Sequence, residues 1–171
     1  MSVESRGFDN QIARIKGTFD NPKCVAQAAM FVQGAAKMNA PSRTGDLRAN
    51  IYMNVETTET GVEAEIYTPP GSYALYVEVG TGRRGANDHA GISPNITPAY
   101  TMDPWWIHES QLEPGVGEAY GWFYIDTPQG RFYRCEGQAA QPFLYPALAN
   151  NRQRVLEILR KGFNKAIGES K

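Results

Sequence analysis

The sequence is poor in the side chains that most often carry chemistry in enzymes. It has only two histidines and two cysteines among 171 residues, and it contains no CxxC, HExxH, HxH or GxSxG pattern. Cys24 and Cys135 lie far apart in sequence, so a disulfide framework is not expected, and synthesis in the cytoplasm is favoured. These absences argue against a metal-dependent or nucleophilic enzyme.

A dominant charge and long apolar runs are also missing. The formal net charge is −1, so no overall basic field would attract nucleic acid. No apolar run approaches the roughly 18 residues of a membrane span, and the first six residues lack the apolar core of a signal peptide. The charge is nevertheless uneven, because residues 85–136 hold two basic and seven acidic residues while residues 137–171 hold six basic and two acidic ones. This separation reflects either solvated faces or head-to-tail attraction between copies.

Hydrophobic periodicity predicts an α+β fold. Helical spacing predicts a short helix over residues 4–17 and an alanine-rich helix from Pro22 to about Asn39. Strict alternation from Leu47 to Glu56 and from Val62 to Tyr67 predicts an antiparallel hairpin with one buried and one wet face. An amphipathic helix is expected to follow Pro146 and to end near Ile167.

The middle of the chain is harder to interpret. Residues 73–82 fit either a short strand or a helical turn, and Glu78 within this apolar run needs a partner, for which Arg48 is a candidate. Residues 83–119 are rich in glycine and proline and predict a long loop, which is usually functional or mobile. Trp105 and Trp106 in this loop either fold back on the core or anchor a partner.

A second hairpin is predicted after the long loop. Residues 120–125 and 131–135 are apolar and aromatic, and they flank the turn sequence of residues 126–130. Aromatic side chains alternate onto both faces of this hairpin. Each face therefore has to be covered by the loop, by the body of the protein or by a neighbouring subunit.

Three features suggest activity only weakly. Residues 80–85 match GxGxxG, but Asn87, Gly91 and Pro94 follow where a nucleotide-binding helix should begin, so a nucleotide site is not supported. His89 and His108 lie in a predicted loop without a metal-ligand pattern, and solvated histidines are the simpler interpretation. The C-terminal helix is basic, which predicts either a solvated face or a nucleic-acid contact. Its basic residues are Arg152, Arg154, Arg160, Lys161 and Lys165.

Three sequence blocks, in this order, resemble the siphophage neck proteins, also called head–tail joining, tail-component or tail-completion proteins. The blocks are Ala40-Pro41 followed by Thr44-Gly45-x-Leu47-Arg48, then Tyr73-Ala74-x-Tyr76-Val77-Glu78-x-Gly80-Thr81, and last Gln141-Pro142-Phe143-Leu144-x-Pro146-Ala147-Leu148. Each block alone is weakly specific, and the order of the three gives the resemblance its weight.

The resemblance implies a single α+β domain over residues 1–171. An antiparallel sheet would be packed by the N-terminal alanine-rich helix and the C-terminal amphipathic helix, with a core of residues 20–82 and 138–167. Residues 83–137 would form an insertion made of a long loop and a β-hairpin.

The resemblance also implies a structural virion protein of the neck or tail region, made in the host bacterial cytoplasm. Copies would form a ring, expected to be a hexamer, between head-closure or connector proteins and the tail terminator or tail tube. Genome DNA would pass through the lumen without sequence-specific binding, and no catalysis, cofactor, metal or membrane is expected. The alternatives are a tail terminator or minor tail protein, or a phage-encoded enzyme that uses His89 or His108.

Two groups of residues are singled out for these roles. The first is expected to be architectural, holding the junctions between helices and sheet: Pro41, Thr44, Gly45, Leu47, Arg48, Tyr73, Ala74, Glu78, Gly80, Thr81, Gln141, Pro142, Phe143 and Pro146. The second is aromatic and is expected to contact adjacent subunits or partners: Trp105, Trp106, Trp122, Tyr124 and Phe132.

Overall fold

The computed structural model describes residues 13–17, 22–41, 45–59 and 61–168. These residues form an α+β fold with two separate three-stranded antiparallel sheets. The first sheet has the order β1-β3-β2 and consists of β1 (Ala13–Gly17), β2 (Tyr52–Thr58) and β3 (Gly61–Tyr67). The predicted β2–β3 hairpin is confirmed, with Val55 opposite Ala64.

The buried face of the first sheet lies under helix α1 (Pro22–Asn39), which contacts both β2 and β3. In β3 the buried positions alternate, as the sequence predicts, at Val62, Ala64 and Ile66. The buried side chains of α1 recur at helical spacing, and small alanines among them allow close approach to the sheet. They are Cys24, Val25, Ala28, Ala29, Val32 and Ala36.

Two C-terminal helices pack beside α1. These are α6 (Leu144–Ala149) and α7 (Arg152–Gly168), and both contact α1. The single helix predicted after Pro146 is therefore wrong, since the chain turns at residues 150–151 between two helices. Pro146 lies in the first turn of α6, where its missing N–H costs no helical hydrogen bond. The predicted fold class, a sheet packed by helices from both ends of the chain, is confirmed.

The short helix predicted over residues 4–17 is wrong where it can be checked. Residues 13–17 form strand β1, which pairs with β3 so that Ala13 lies opposite Ile66 and Gly17 opposite Val62. Residues 4–12 lie outside the described residues. Pairing with a strand about fifty residues away overrides the local helical pattern, because ladder hydrogen bonds depend on tertiary contacts and not on local spacing.

The predicted strand begins later than the alternation suggests. Residues Asp46–Ala49 form a helical turn, α2, after Gly45, whose φ of 87° lies in the left-handed region that favours glycine. The amide of Ala49 donates to the Gly45 carbonyl at 3.0 Å. Leu47 and Ile51 are both buried because one helical turn brings positions four apart onto the same side.

Residues 73–82 fit either a strand or a helical turn by sequence, and the structure shows a helix there. This helix is α3 (Ala74–Val79), and a second helix, α4 (Gly82–Asn87), begins within the glycine motif. The long loop predicted over residues 83–119 is therefore wrong in part. It also contains β4 (Trp105–His108), a 3-10 turn at Glu109–Gln111 and the short helix α5 (Val116–Ala119).

The second sheet is built around the predicted aromatic hairpin. That hairpin is confirmed as β5 (Tyr124–Thr127) and β6 (Gly130–Cys135), and β4 adds a third strand in the order β4-β6-β5. In the register, Ile107 and Tyr124 both lie opposite Tyr133, while Trp106 lies opposite Arg134. The sequence analysis missed β4, because a four-residue strand carries too little periodicity to be recognised.

Candidate assembly surface

The buried carboxylate of Glu78 joins two of the three sequence blocks. Its side chain is 2% exposed and accepts hydrogen bonds from the amides of Phe143 at 2.7 Å and of Leu144 and Tyr145, both at 3.0 Å. These amides belong to the start of α6, where N–H groups have no partner within the helix and a negative charge is favourable. The predicted need for a partner is thus met by backbone amides. The proposed partner Arg48 is wrong, since its Nε donates to the Ala40 carbonyl at 2.9 Å.

The glycine motif forms a close contact between two stretches of backbone. The amide of Thr81 donates to the Gln138 carbonyl at 2.9 Å, and the Gln138 amide donates back at 3.1 Å. A Cβ on Gly80 would lie 2.7 Å from the Ala140 nitrogen, and a Cβ on Gly82 would lie 2.6 Å from the Glu136 carbonyl oxygen. The chain's own backbone therefore occupies the space that a pyrophosphate would need. A short helix, α4, does begin within the motif, contrary to expectation, but these glycines serve packing.

The other motif residues occupy varied positions. Leu47, Ala74 and Phe143 belong to the buried core, and Pro41, Pro142 and Pro146 are half-buried. Tyr73 and Gln141 are exposed, although the Gln141 amide donates to the Val77 carbonyl at 2.8 Å. Thr44 lies outside the described residues. All three blocks therefore supply residues to one core, and the architectural role assigned to each individual residue stays a prediction.

The two histidines are held by separate local hydrogen bonds. His89 Nδ1 lies 3.0 Å from the Gly85 carbonyl oxygen, and the His89 ring stacks on Tyr100. His108 Nδ1 accepts from the Ser110 amide at 3.2 Å, and its Nε2 lies 2.9 Å from the Gln129 carbonyl oxygen. An amide only donates and a carbonyl only accepts, so these contacts are satisfied together by the neutral tautomer with its proton on Nε2. Nε2 of His108 thereby joins β4 to the β5–β6 turn, while Nδ1 is engaged by the 3-10 turn that follows β4.

Over residues 13–17, 22–41, 45–59 and 61–168, no group of three or more His, Cys, Asp or Glu side chains is arranged to hold a metal ion. Within the same ranges, no helix has both the length and the apolar character of a membrane span. Cys24 and Cys135 are both buried free thiols.

One face of the second sheet is covered around Tyr133 by the chain itself, although Tyr124 on the same face stays 44% exposed. Tyr133 is 3% exposed, and the ring of Trp122 packs edge-on against it at 6.4 Å between centroids. Tyr133 Oη donates to Glu118 Oε1 at 2.5 Å. This hydrogen bond lowers the pKa of the Glu118 carboxyl and raises the pKa of the Tyr133 phenol. Gly117 of α5 sits directly over the Tyr133 ring, where a Cβ would overlap it.

An ionic cluster completes the covered face. Arg131 donates through Nε to Asp126 at 2.8 Å and through Nη1 to Glu118 at 2.9 Å. Its guanidinium carbon lies 3.9 Å from the centroid of the Tyr124 ring. The pKa of the Arg131 guanidinium is raised, with the hydrogen bond to Asp126 as the largest cause. Two of the insertion's acidic residues are therefore ion-paired within the subunit to one shared arginine.

The opposite face of the second sheet is largely exposed within the described part of the chain, although Phe132 on it is half-buried and packs edge-on against the His108 ring. Cross-strand partners share a face of a sheet, so the register places Trp106 beside Arg134 and Ile125 beside Phe132. Phe123 joins them, since its ring lies 6.1 Å from that of Trp106. We call these five residues the open face: Trp106, Phe123, Ile125, Phe132 and Arg134. Phe123 is 62% exposed, Trp106 44% and Ile125 41%, and such clustered apolar exposure marks interaction surfaces.

The predicted contact residues are divided between the two faces. Trp106 and Phe132 lie on the open face, whereas Trp105 and Tyr124 lie on the covered face and Trp122 helps to cover it. Of the paired tryptophans, Trp105 folds back against Gly82, whereas Trp106 is exposed and its contact with a partner stays a prediction. The sequence analysis missed Phe123 and Ile125 as candidates. The signal that could have found them was their alternation with Trp122 and Tyr124.

Comparisons with known proteins agree with the resemblance over part of the chain. Residues 10–80 match a family model described as "Bacteriophage HK97-gp10, putative tail-component". No curated protein and no solved structure matches the chain. The matched residues contain the first sequence block and most of the second, while the third block and the entire second sheet lie outside them. Over residues 10–80 the match confirms the predicted resemblance to a phage tail-component family.

Proposed function

We propose that this chain is a structural subunit of the phage neck, where identical copies form a ring. On this proposal, the ring binds head-closure or connector proteins on one side and the tail terminator or tail tube on the other. Genome DNA passes through the lumen without sequence-specific contacts. The tail-component match over residues 10–80 supports a virion role, and the open face supports assembly with a neighbour.

The open face is the observation that carries the proposal. An apolar sheet face in water is unfavourable by roughly 25 cal/mol per Å² of area that could be buried. This exposed apolar area belongs to Trp106, Phe123 and Ile125. They lie on a sheet whose other face the chain already covers around Tyr133. Aromatic residues of this kind are enriched at the centres of protein interfaces. If the subunit buries the open face on assembly, the apolar composition of that face is explained.

The first test removes one side chain from the open face. We expect Phe123→Ser to leave the melting temperature of the isolated subunit nearly unchanged, since this side chain is 62% exposed, and to reduce assembly. Electron microscopy and mass measurement of the purified full chain would show rings for the wild type and smaller species for the variant. Tyr52→Ser is the matched control, because Tyr52 is also an exposed aromatic residue but lies on the polar face of the first sheet.

The second test uses phage particles that lack the protein. If the proposal is correct, filled capsids and finished tails accumulate without being joined, and supplying the full chain restores the junction. Phages that still couple capsids to tails without this protein would contradict the neck role. Imaging of the labelled chain in wild-type virions would separate a neck ring from a tail terminator or a minor tail protein by its position.

A further inference from the structure

Helix α1 has an exposed apolar side facing away from the first sheet. We define the outer face of α1 as Gln27, Met30, Phe31, Gly34 and Met38, which lie within one exposed arc of the helix. Met30 is 60% exposed and Met38 is 81% exposed. Over the described residues, the opposite side of α1 packs on β2 and β3, and nothing covers the outer face.

Gly34 at the centre of this outer face has no explanation among the contacts of the described residues. A glycine in a helix interior destabilises the helix relative to alanine. In the described structure, a Cβ built on Gly34 would meet no atom within 4 Å. Gly162 in α7 is the instructive contrast, because a Cβ there would overlap Cys24 Sγ, so packing against α1 requires that glycine. Close approach by another molecule would explain the glycine at position 34 in the same way, since it would leave no room for a side chain.

We propose that the outer face of α1 in one copy docks on the open face of the second sheet in the next copy. This inference rests on the proposed ring and names the two surfaces that join its subunits. A helix of 18 residues is about 27 Å long, which is enough to cross the three strands of the sheet. Because every copy carries both surfaces, the contact is head-to-tail and can close into a ring.

The chemistry of the two surfaces is complementary. Methionine side chains adapt to irregular apolar surfaces and make favourable contacts with aromatic rings, so Met30 and Met38 suit Trp106 and Phe123. Gly34 lets the helix backbone approach these rings closely. Arg134 on the open face is already ion-paired with Glu136. The charges around it match, since α1 carries two lysines and no acidic residue, while residues 85–136 carry seven acidic and two basic residues. Lys23 and Lys37 would then face acidic residues of the insertion, among them the exposed Asp103 that precedes β4.

The decisive variant is Gly34→Ala in the full chain, because stability and assembly should change in opposite directions. Improved helix propensity should raise the melting temperature of the dissociated subunit by about 2–4 °C. An added methyl group at a close contact should weaken self-association about tenfold or more. Asn164→Ala is the control, since it also improves propensity at an exposed helical position but lies on α7. Self-association of Gly34→Ala at wild-type strength would overturn the inference and leave the proposed ring intact.

A cross-linking experiment tests the pairing of the surfaces directly. Copies carrying Met30→Cys are mixed with copies carrying Ile125→Cys, and a short thiol cross-linker is added. Since Cys24 and Cys135 are buried, we expect covalent dimers that contain one copy of each variant. Cross-links that form only between two Ile125→Cys copies would overturn the inference in favour of a face-to-face dimer. The proposed function would be overturned as well if the wild-type chain never self-associates and phages that lack it assemble normally.

Discussion

The two sheets of this protein have the same number of strands and the same antiparallel pairing, but their outer faces differ in chemistry. The first sheet covers one face with α1 and leaves the other face polar, with Asn54 and Glu56 opposite Glu65 and Glu63. The second sheet covers one face with the segment around α5 and leaves Trp106, Phe123 and Ile125 exposed. A polar outer face is stable in water, whereas an apolar one favours a partner. The first sheet therefore completes the subunit, and the second is suited to assembly.

The two sheets also differ in the comparison with known proteins. All of the first sheet lies within the matched residues 10–80, and the second sheet lies outside them. Function-bearing surfaces commonly reside on segments added to a scaffold that supplies stability. Substitutions should therefore separate into those that unfold the first region and those that alter association through the second.

The largest effect is expected where the first region is tied to the C-terminal helices. Glu78→Ala removes the acceptor of three amide hydrogen bonds, of which those from Phe143 and Leu144 are buried and that from Tyr145 is part-buried. Because each buried donor left without a partner costs about 1–3 kcal/mol, we expect the free energy of unfolding to fall by about 3–6 kcal/mol. Denaturant unfolding measures this change, and Glu59→Ala at an exposed turn is the control. If Glu78→Ala were as stable as the control, Glu78 would have no architectural role.

A matched pair of isoleucines compares the two sheets directly. Ile66 in β3 is fully buried, so Ile66→Ala should destabilise the subunit by about 2–5 kcal/mol through lost burial and the cavity left behind. Ile125 in β5 is 41% exposed, and Ile125→Ala should cost less than about 1 kcal/mol. Equilibrium unfolding of the dissociated subunit would measure both values. Equal losses would show that the open face is part of the folded core and would break the comparison.

The smallest effect concerns the covered face of the second sheet and depends on pH. In the folded protein the Tyr133 hydroxyl lowers the pKa of the Glu118 carboxyl. A carboxyl whose pKa is lowered by folding contributes stability above its unfolded pKa of about 4.3, and this contribution is lost as the pH falls through the folded pKa. Tyr133→Phe should therefore be less stable than the wild type at pH 7, with the difference shrinking as the pH approaches 3. Thermal unfolding between pH 3 and pH 7 provides the measurement, and a pH-independent difference would contradict this cause.

Local patterns in the sequence account for much of the helical and hairpin content. The alternation of Val62, Ala64 and Ile66 and the helical spacing of Val25, Val32 and Ala36 are local patterns, because burial on one side imposes a period of two or of 3.6 residues. The tail-component resemblance was likewise readable from short blocks of sequence. The need of Glu78 for a partner followed from its apolar surroundings.

Which of these elements pair with each other depends on contacts between distant parts of the chain. Strand β1 pairs with β3, β4 joins β6, and Glu78 binds the amides of α6 and not Arg48, because each of these contacts joins residues far apart in sequence. The same holds for the aromatic residues of the insertion, which local alternation assigns to two faces without saying which face is covered. Placement of Trp122 and α5 over Tyr133 covers one face and leaves Trp106 and Phe123 exposed on the other. Burial is a property of the assembled chain, and for that reason the open face emerged from the fold and not from the sequence pattern.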